Sequence, residues 1–136
     1  MYRVLYIEDE LDMIEDLPPV LKEWKLDLNA TRSIEDGLRW FSEEFYDAVL
    51  LDICMPPSKS MDMEKVQYGR ETGVEVARCL KKINPNVPII SLTVVNDPEI
   101  KSRMKEAGIC RIVNKPSDPS TIADAIINEI KNAKRK

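Results

Sequence analysis

Continuous apolar runs, each ending at a polar residue, constrain the fold of this chain more than any other feature. Three strong runs span residues 3–7, 48–51 and 87–92, and two weaker runs span residues 26–30 and 109–113. Apolar residues that follow one another without alternation are typical of strands covered on both faces, which occur in parallel sheets. The pattern therefore predicts five parallel strands.

Helical segments lie between the predicted strands. Ser33 and Asp36 open one helix with a capping-box pattern in which Asp replaces the usual Glu. Residues 72–82 place a broad apolar face on another. Two further segments begin with an aspartate N-cap before a proline, at Asp97-Pro98 and at Asp118-Pro119. Five strands that alternate with five helices predict a single α/β domain.

The first helical segment is irregular. Residues 10–24 have apolar residues at helical spacing, but Pro18 and Pro19 fall inside the segment. Because proline lacks a backbone donor and clashes with the preceding turn, we expect a kink or a break at this point.

Composition excludes several classes of function. The 136 residues include no histidine, which excludes Ser-His-Asp and Cys-His catalysis and imidazole-ligated metals. Cys54, Cys79 and Cys110 show no CxxC spacing, so we expect reduced thiols in a soluble, cytoplasmic protein. No apolar run is long enough to span a membrane. With 20 basic against 24 acidic residues, the charge balance argues against a surface for duplex DNA.

Polar side chains of both charges follow the predicted strands. Glu8 and Asp9 end the first strand, Asp52 ends the third, Thr93 ends the fourth, and Lys115 follows the fifth. Ligand sites of open parallel sheets lie at the carboxyl ends of the strands, so we expect these side chains in one crevice. Neighbouring carboxylates repel one another unless a cation lies among them, and Mg²⁺ prefers oxygen ligands. Thr93 and Lys115 would suit a phosphoryl group carried on a carboxylate.

Four short motifs resemble those of the receiver domain of two-component response regulators. They are VLYIEDE at residues 4–10, VLLDICMP at 49–56, PIISLT at 88–93 and VNKP at 113–116. The resemblance covers nearly the whole chain and implies a flavodoxin-like, CheY-like (βα)5 three-layer sandwich with a five-stranded parallel sheet. It implies a receiver domain over residues 1–131, which includes an inserted loop at 57–70, followed by a basic tail at 132–136.

The same resemblance implies a role for each residue of the crevice. Asp52 would accept a phosphoryl group from a phosphohistidine on a sensor histidine kinase or a histidine phosphotransfer protein. Lys115 would pair with the acyl phosphate, and Thr93 would move in to hydrogen-bond it. The Mg²⁺ ligands would be Asp9, Asp52 and the backbone carbonyl of Cys54, with Glu8 acting directly or through a water molecule.

The resemblance also implies a switch rather than a turnover enzyme. The movement of Thr93 would bias a two-state equilibrium, which a downstream effector protein reads at the fourth helix, fifth strand and fifth helix. A homodimer through that face is a family expectation, while neither membrane nor direct nucleic acid contact is expected of this domain. The Lys115-Pro116 peptide is expected to be cis.

Three features depart from the family pattern. The 57–70 loop is long for a compact domain, and it could be a lid, a docking element or a mobile excursion. Val94 follows Thr93 where the family favours a small residue, which predicts a longer-lived phosphorylated state. Ile112 stands where many receivers carry a switching aromatic residue, so this chain cannot use that switch in its usual form.

Alternative functions remain open at this point. A pseudo-receiver would act as a scaffold without taking phosphate. A phosphohydrolase of the haloacid-dehalogenase type also uses a strand-end Asp, a Thr, a Lys and Mg²⁺, but it needs a second Asp where Cys54 stands. A flavin-binding flavodoxin is disfavoured, because no obvious Ser/Thr/Gly-rich phosphate loop follows the first strand.

Overall fold

Strands and helices alternate along the chain, as the sequence predicts. The computed structural model describes residues 1–58, 61–64, 69 and 71–135. Within these residues the strands are β1 (Tyr2–Ile7), β2 (Leu26–Thr31), β3 (Ala48–Leu51), β4 (Ile89–Thr93) and β5 (Ile109–Asn114). The α-helices are α1 (Leu11–Leu21), α2 (Ile34–Glu43), α3 (Thr72–Ile83), α4 (Pro98–Glu106) and α5 (Pro119–Lys134). A short 3-10 helix, Lys22–Trp24, follows α1.

The strands form one parallel sheet in the order β2-β1-β3-β4-β5. The chain runs from β1 outward to β2, then returns to the other side of β1 to form β3 and the strands beyond it. The order therefore reverses between β1 and β3, which is where open parallel sheets bind ligands. The predicted flavodoxin-like, five-stranded parallel sheet is confirmed.

Both faces of the sheet are covered, which is why the central strands β1, β3 and β4 are mostly apolar. Leu5 and Ile7 of β1 belong to the core cluster beneath α2, α3 and α4. Val4 and Tyr6 belong to the cluster that includes side chains of α1 and α5. Because successive side chains of a strand point to opposite faces, each strand contributes alternately to the two clusters. This arrangement gives the three layers of the predicted sandwich.

The expectation at Pro18-Pro19 is wrong as to a break, because α1 continues through both prolines to Leu21, while the kink stays a prediction. Leu17 and Leu21 are buried beneath the helix on either side of the prolines. Pro19 lies on the exposed face, where water can satisfy a carbonyl oxygen that the proline leaves without a donor. Tertiary packing of the apolar face thus outweighs the local preference of proline.

The predicted helix caps are confirmed in two of three places. The amide of Asp36 donates to the Ser33 hydroxyl oxygen at 3.1 Å, and the amide of Glu99 donates to the Asp97 carboxylate at 2.9 Å. Helix α5 begins at Pro119 as predicted, but the side chain of Asp118 forms no capping hydrogen bond. Proline at the first position needs no partner for its nitrogen, so the start of α5 does not depend on a side-chain cap.

Only parts of the predicted 57–70 loop lie within the described residues, and residues 59–60, 65–68 and 70 lie outside them. Met61 packs against the cluster beneath α2, α3 and α4. Gly69 has a φ of 103°, a backbone conformation that residues other than glycine rarely adopt. The loop therefore ends in a turn that requires glycine shortly before α3, and its predicted role stays a prediction.

Two expectations from composition can be compared with the described part of the chain. There, Cys54, Cys79 and Cys110 form no disulfide bond. No helix among the described residues combines the length and the apolar character needed to cross a membrane.

We predict that Gly73→Ala destabilises the fold more than Gly37→Ala. A methyl group at Gly73 would overlap the backbone carbonyl oxygen of Asp52 and lie 2.6 Å from Cα of Ile53, and neither backbone atom can yield easily. The free energy of unfolding should fall by about 1–3 kcal/mol, as for other overpacked sites. Urea denaturation measures this difference.

The matched control has a softer neighbour. A methyl group at Gly37 would meet the terminal Cδ1 of Ile7 at 2.7 Å, and that flexible side chain can shift. The helix propensity of alanine offsets the remaining strain by up to about 1 kcal/mol. Equal losses for the two variants would contradict the close approach of α3 to β3.

Candidate functional site

The carboxyl edge of the sheet brings the predicted site residues to one end of the molecule. Glu8 and Asp9 directly follow β1, and Asp52 directly follows β3. Thr93 is the last residue of β4, and Lys115 directly follows β5. Because β1 and β3 are neighbours, the acidic residues flank the point where the strand order reverses.

Lys115 is the cation of this crevice. Its Nζ atom lies 2.6 Å from Oε1 of Glu8, 3.8 Å from Oδ2 of Asp52 and 3.8 Å from Oε2 of Glu10. The side chains of Glu8, Asp52 and Lys115 are 0%, 5% and 14% exposed, so water screens these charges weakly. The ammonium group therefore holds together carboxylates that would otherwise repel one another.

The acidic residues are close enough to share a cation. Glu8, Asp9 and Asp52 each offer a carboxylate oxygen, and these oxygens all lie within 4.8 Å of one another. Oε2 of Glu8 is buried and has no hydrogen-bond partner among the described residues. Oxygen ligands around a buried orphan acceptor fit a hard divalent cation such as Mg²⁺.

Burial makes the phospho-acceptor candidate an unusually basic carboxylate. Removal from water, followed by repulsion from Glu8, raises the pKa of Asp52 to about 8. Burial also raises the pKa of Glu8, although Lys115 opposes the shift. Burial alone would lower the pKa of Lys115, but the Glu8 hydrogen bond and the charges of Asp52 and Glu8 outweigh it and raise the pKa. The crevice therefore favours a bound positive charge.

Thr93 is the last residue of β4, and Val94 follows it directly. The Thr93 hydroxyl is fully buried and accepts a hydrogen bond from the amide of Val95 at 3.1 Å. The Thr93 carbonyl oxygen accepts from the amide of Lys115 at 2.8 Å, which fixes the end of β5 to β4. Val94 is 62% exposed and lines, with Lys115 and Pro116, a cavity of about 300 Å³.

Two details beside the crevice bear on the sequence predictions. The Lys115-Pro116 peptide is cis, which confirms that expectation. Cys54 lies two residues after Asp52 and is half-buried against the cluster beneath α2, α3 and α4. The role of its carbonyl as a metal ligand stays a prediction.

Sequence reasoning missed two features close to the site. Glu10 shares Lys115 with the predicted acids, and its position next to Asp9 in the acidic run was an available signal. Glu71, just before α3, is buried and forms an ion pair with Arg103 of α4. No local pattern links residues 32 positions apart, so the sequence offered no signal for that pair.

Comparison with known proteins agrees with this geometry. The family model described as the response regulator receiver domain matches residues 4–127. A cyclic di-GMP phosphodiesterase response regulator, RpfG of Xanthomonas campestris pv. campestris, is 32% identical over 79% of this chain and 24% of its own length. The transcriptional regulatory protein DltR of Streptococcus agalactiae is 27% identical over 95% of this chain and 50% of its own length. The chain thus spans at most about half the length of these relatives.

Solved structures share the fold over nearly the full chain. A CheY-like receiver domain protein from Methanospirillum hungatei superimposes with a TM-score of 0.83 at 19% identity, covering 99% of this chain and 98% of that one. The signal receiver domain of a histidine kinase from Syntrophus aciditrophicus gives a TM-score of 0.78 at 25% identity, covering 100% and 95%. These similarities confirm the predicted CheY-like fold.

We predict that, in the presence of a chelator, Asp52→Asn stabilises the protein more at about pH 8.5 than at about pH 5. With a folded pKa near 8 and an ordinary value of 3.8, Asp52 is protonated only in the folded protein between these values. The folded protein then binds more protons than the unfolded chain, so stability falls as the pH rises from about 4 to about 8. Asparagine removes this loss, and the gain should be about 1–4 kcal/mol.

Urea denaturation at the two pH values measures the effect. Asp16→Asn is the matched control, because Asp16 is an exposed carboxylate on α1. A gain of equal size at both pH values would contradict the raised pKa of Asp52.

Proposed function

We propose that this chain, which belongs to the response regulator receiver domain family, takes a phosphoryl group onto Asp52 from a phosphohistidine. The donor would be a sensor histidine kinase or a histidine phosphotransfer protein. The observation that carries the proposal is the buried Asp52 carboxylate, 3.8 Å from the Lys115 ammonium group within a cluster of three acidic residues. We assign the role of signalling module in a two-component system on this basis.

The residues of the crevice would divide the work of transfer. A carboxylate oxygen of Asp52 attacks phosphorus, the O–P bond forms as the P–N bond breaks, and the imidazole leaves with the electron pair of that bond. Lys115 has a flexible side chain and lies between Glu8 and Asp52, so a short movement would pair it with a phosphoryl oxygen. The Thr93 hydroxyl, whose oxygen accepts from the Val95 amide, would donate its proton to a phosphoryl oxygen.

Mg²⁺ is the cofactor that these residues would hold. Glu8, Asp9 and Asp52 would supply carboxylate oxygens, and the backbone of Cys54 would supply a carbonyl oxygen. The bound ion would neutralise charge on the phosphoryl oxygens during transfer. The buried, unpartnered Oε2 of Glu8 supports this assignment.

The product would be the phosphorylated chain itself, which would act as a switch, and no compound would be released as the purpose of the reaction. Cys54 stands where a phosphohydrolase of the haloacid-dehalogenase type needs a second Asp, so we infer no turnover of external phosphate esters. We propose a cytoplasmic location and a downstream effector protein, with dimerisation through α4, β5 and α5 as an expectation of the family. Ile112 is half-buried against the cluster beneath α2, α3 and α4. Because it is not aromatic, a conformational change at this face would have to be transmitted by other residues.

We predict that acetyl phosphate and Mg²⁺ add one phosphoryl group to the purified chain, as measured by intact mass. The gain should need Mg²⁺, because the acidic cluster otherwise repels the anionic donor. Asp52→Asn should abolish the gain, and the exposed Asp16→Asn should retain it. No gain in the folded wild-type chain would favour the pseudo-receiver, and steady phosphate release without an adduct would favour the phosphohydrolase.

We predict that Val94→Ala shortens the lifetime of the phosphorylated chain. Val94 directly follows Thr93 and lines one cavity with Lys115, and its smaller replacement would let water approach the acyl phosphate. Decay followed by intact mass should accelerate about threefold, a change that corresponds to about 0.7 kcal/mol in the barrier.

Val20→Ala is the control for this experiment. Val20 is an exposed valine near the end of α1, so its truncation removes the same methyl groups away from the crevice. Equal decay rates in Val94→Ala and in the wild-type chain would show that Val94 does not shield the acyl phosphate.

A further inference from the structure

A partly buried ion pair joins the start of α3 to α4. Nε of Arg103 donates to Oε1 of Glu71, and Nη2 of Arg103 donates to Oε2 of Glu71 at 3.0 Å. The Glu71 side chain is 5% exposed and the Arg103 side chain 34%. A bidentate guanidinium–carboxylate pair fixes orientation as well as distance, because both groups are planar.

Helix α4 has few buried residues to hold it on the sheet. Of its nine residues, only Ile100 and Met104 are buried. Helix α1 likewise buries two residues, whereas α3 buries six and α5 buries five. A helix with so small an apolar anchor can shift on the sheet at low cost, so one bidentate ion pair has a large share in fixing its position.

The other partner of the pair is tied to the phospho-acceptor strand. The Glu71 carbonyl oxygen accepts from the amide of Val74, which makes Glu71 part of the first turn of α3. Two residues on, the amide of Gly73 donates to the Ile53 carbonyl oxygen at 2.9 Å. Gly73 also packs so closely on the backbone of Asp52 and Ile53 that no Cβ would fit there. A displacement of the backbone after β3 must therefore move the start of α3.

We propose that Glu71 and Arg103 are a positioning pair that couples Asp52 to the placement of α4. The inference rests on the proposed function, since the signal is the phosphoryl group on Asp52. A shift of the backbone at Asp52 and Ile53 passes through Gly73 to the first turn of α3. The carboxylate of Glu71 then either carries Arg103 with it or breaks the bidentate pair, and both outcomes change how α4 lies on the sheet. The pair would transmit the displacement to α4 without an aromatic residue at position 112.

Hydrogen exchange of the α4 amides, with and without acetyl phosphate and Mg²⁺, tests the coupling in the full chain. Intact mass of the same samples reports phosphorylation of Asp52. In the wild-type chain we expect phosphorylation to change exchange in α4 by at least about fivefold, the lower end of usual coupling between sites. In Glu71→Gln and Arg103→Gln the change should fall below about twofold, although both proteins still take the phosphoryl group.

Arg78→Gln is the matched control, because Arg78 pairs with Glu75 within α3 and does not reach α4 through that contact. It should respond as the wild-type chain does. Arg103→Lys keeps the charge without the planar fork and should respond to an intermediate extent. It also keeps the test decisive if Arg103→Gln does not fold.

The failures of the two proposals are distinguishable. If the chain takes up no phosphoryl group, the proposed function fails and the coupling fails with it. If the chain is phosphorylated but α4 does not respond, or if the Glu71 and Arg103 variants respond as fully as Arg78→Gln, the coupling alone is overturned. The pair would then serve only to attach α4 to α3.

Discussion

The site depends on the interaction of the Lys115 ammonium group with the carboxylates of Glu8 and Asp52. The ammonium group pairs with Glu8 at 2.6 Å and lies 3.8 Å from Asp52, in a crevice where water screens charge poorly. Without a cation, the buried carboxylates would repel one another and take up protons, as the raised pKa values of Glu8 and Asp52 indicate. The crevice is thus balanced between protonation, the internal ammonium group and any cation that enters.

The sheet imposes this balance on the residues. The central strands are mostly apolar on both faces, so the buried acidic side chains of the crevice are accommodated where these strands end. Glu8 follows the row of Val4 and Tyr6 on β1, and Asp52 follows the row of Ala48 and Leu50 on β3. The apolar clusters on both sides supply the stability that a crevice of like charges reduces.

Much of the fold could be predicted because its signals are local. Continuous apolar runs indicated the five strands, and Ser33 and Asp97 indicated where two helices begin. The placement of the predicted site residues at one edge of the sheet followed from the parallel topology alone. Proline in α1 misled the prediction, because burial of Leu17 and Leu21 is a tertiary effect that no local rule contains. The roles of the site residues came from the family resemblance, and they stay predictions.

What sequence could not indicate is how the site connects to the rest of the molecule. The contact between Gly73 and the backbone of Asp52 depends on how α3 packs on the sheet. The Glu71–Arg103 pair depends on the same packing. Packed elements tend to take discrete arrangements instead of deforming continuously, so a change beside Asp52 is not absorbed where it arises. The close approach of α3 to the backbone at Asp52 and the small apolar anchor of α4 therefore belong together: the first transmits a displacement, and the second lets a helix respond to it.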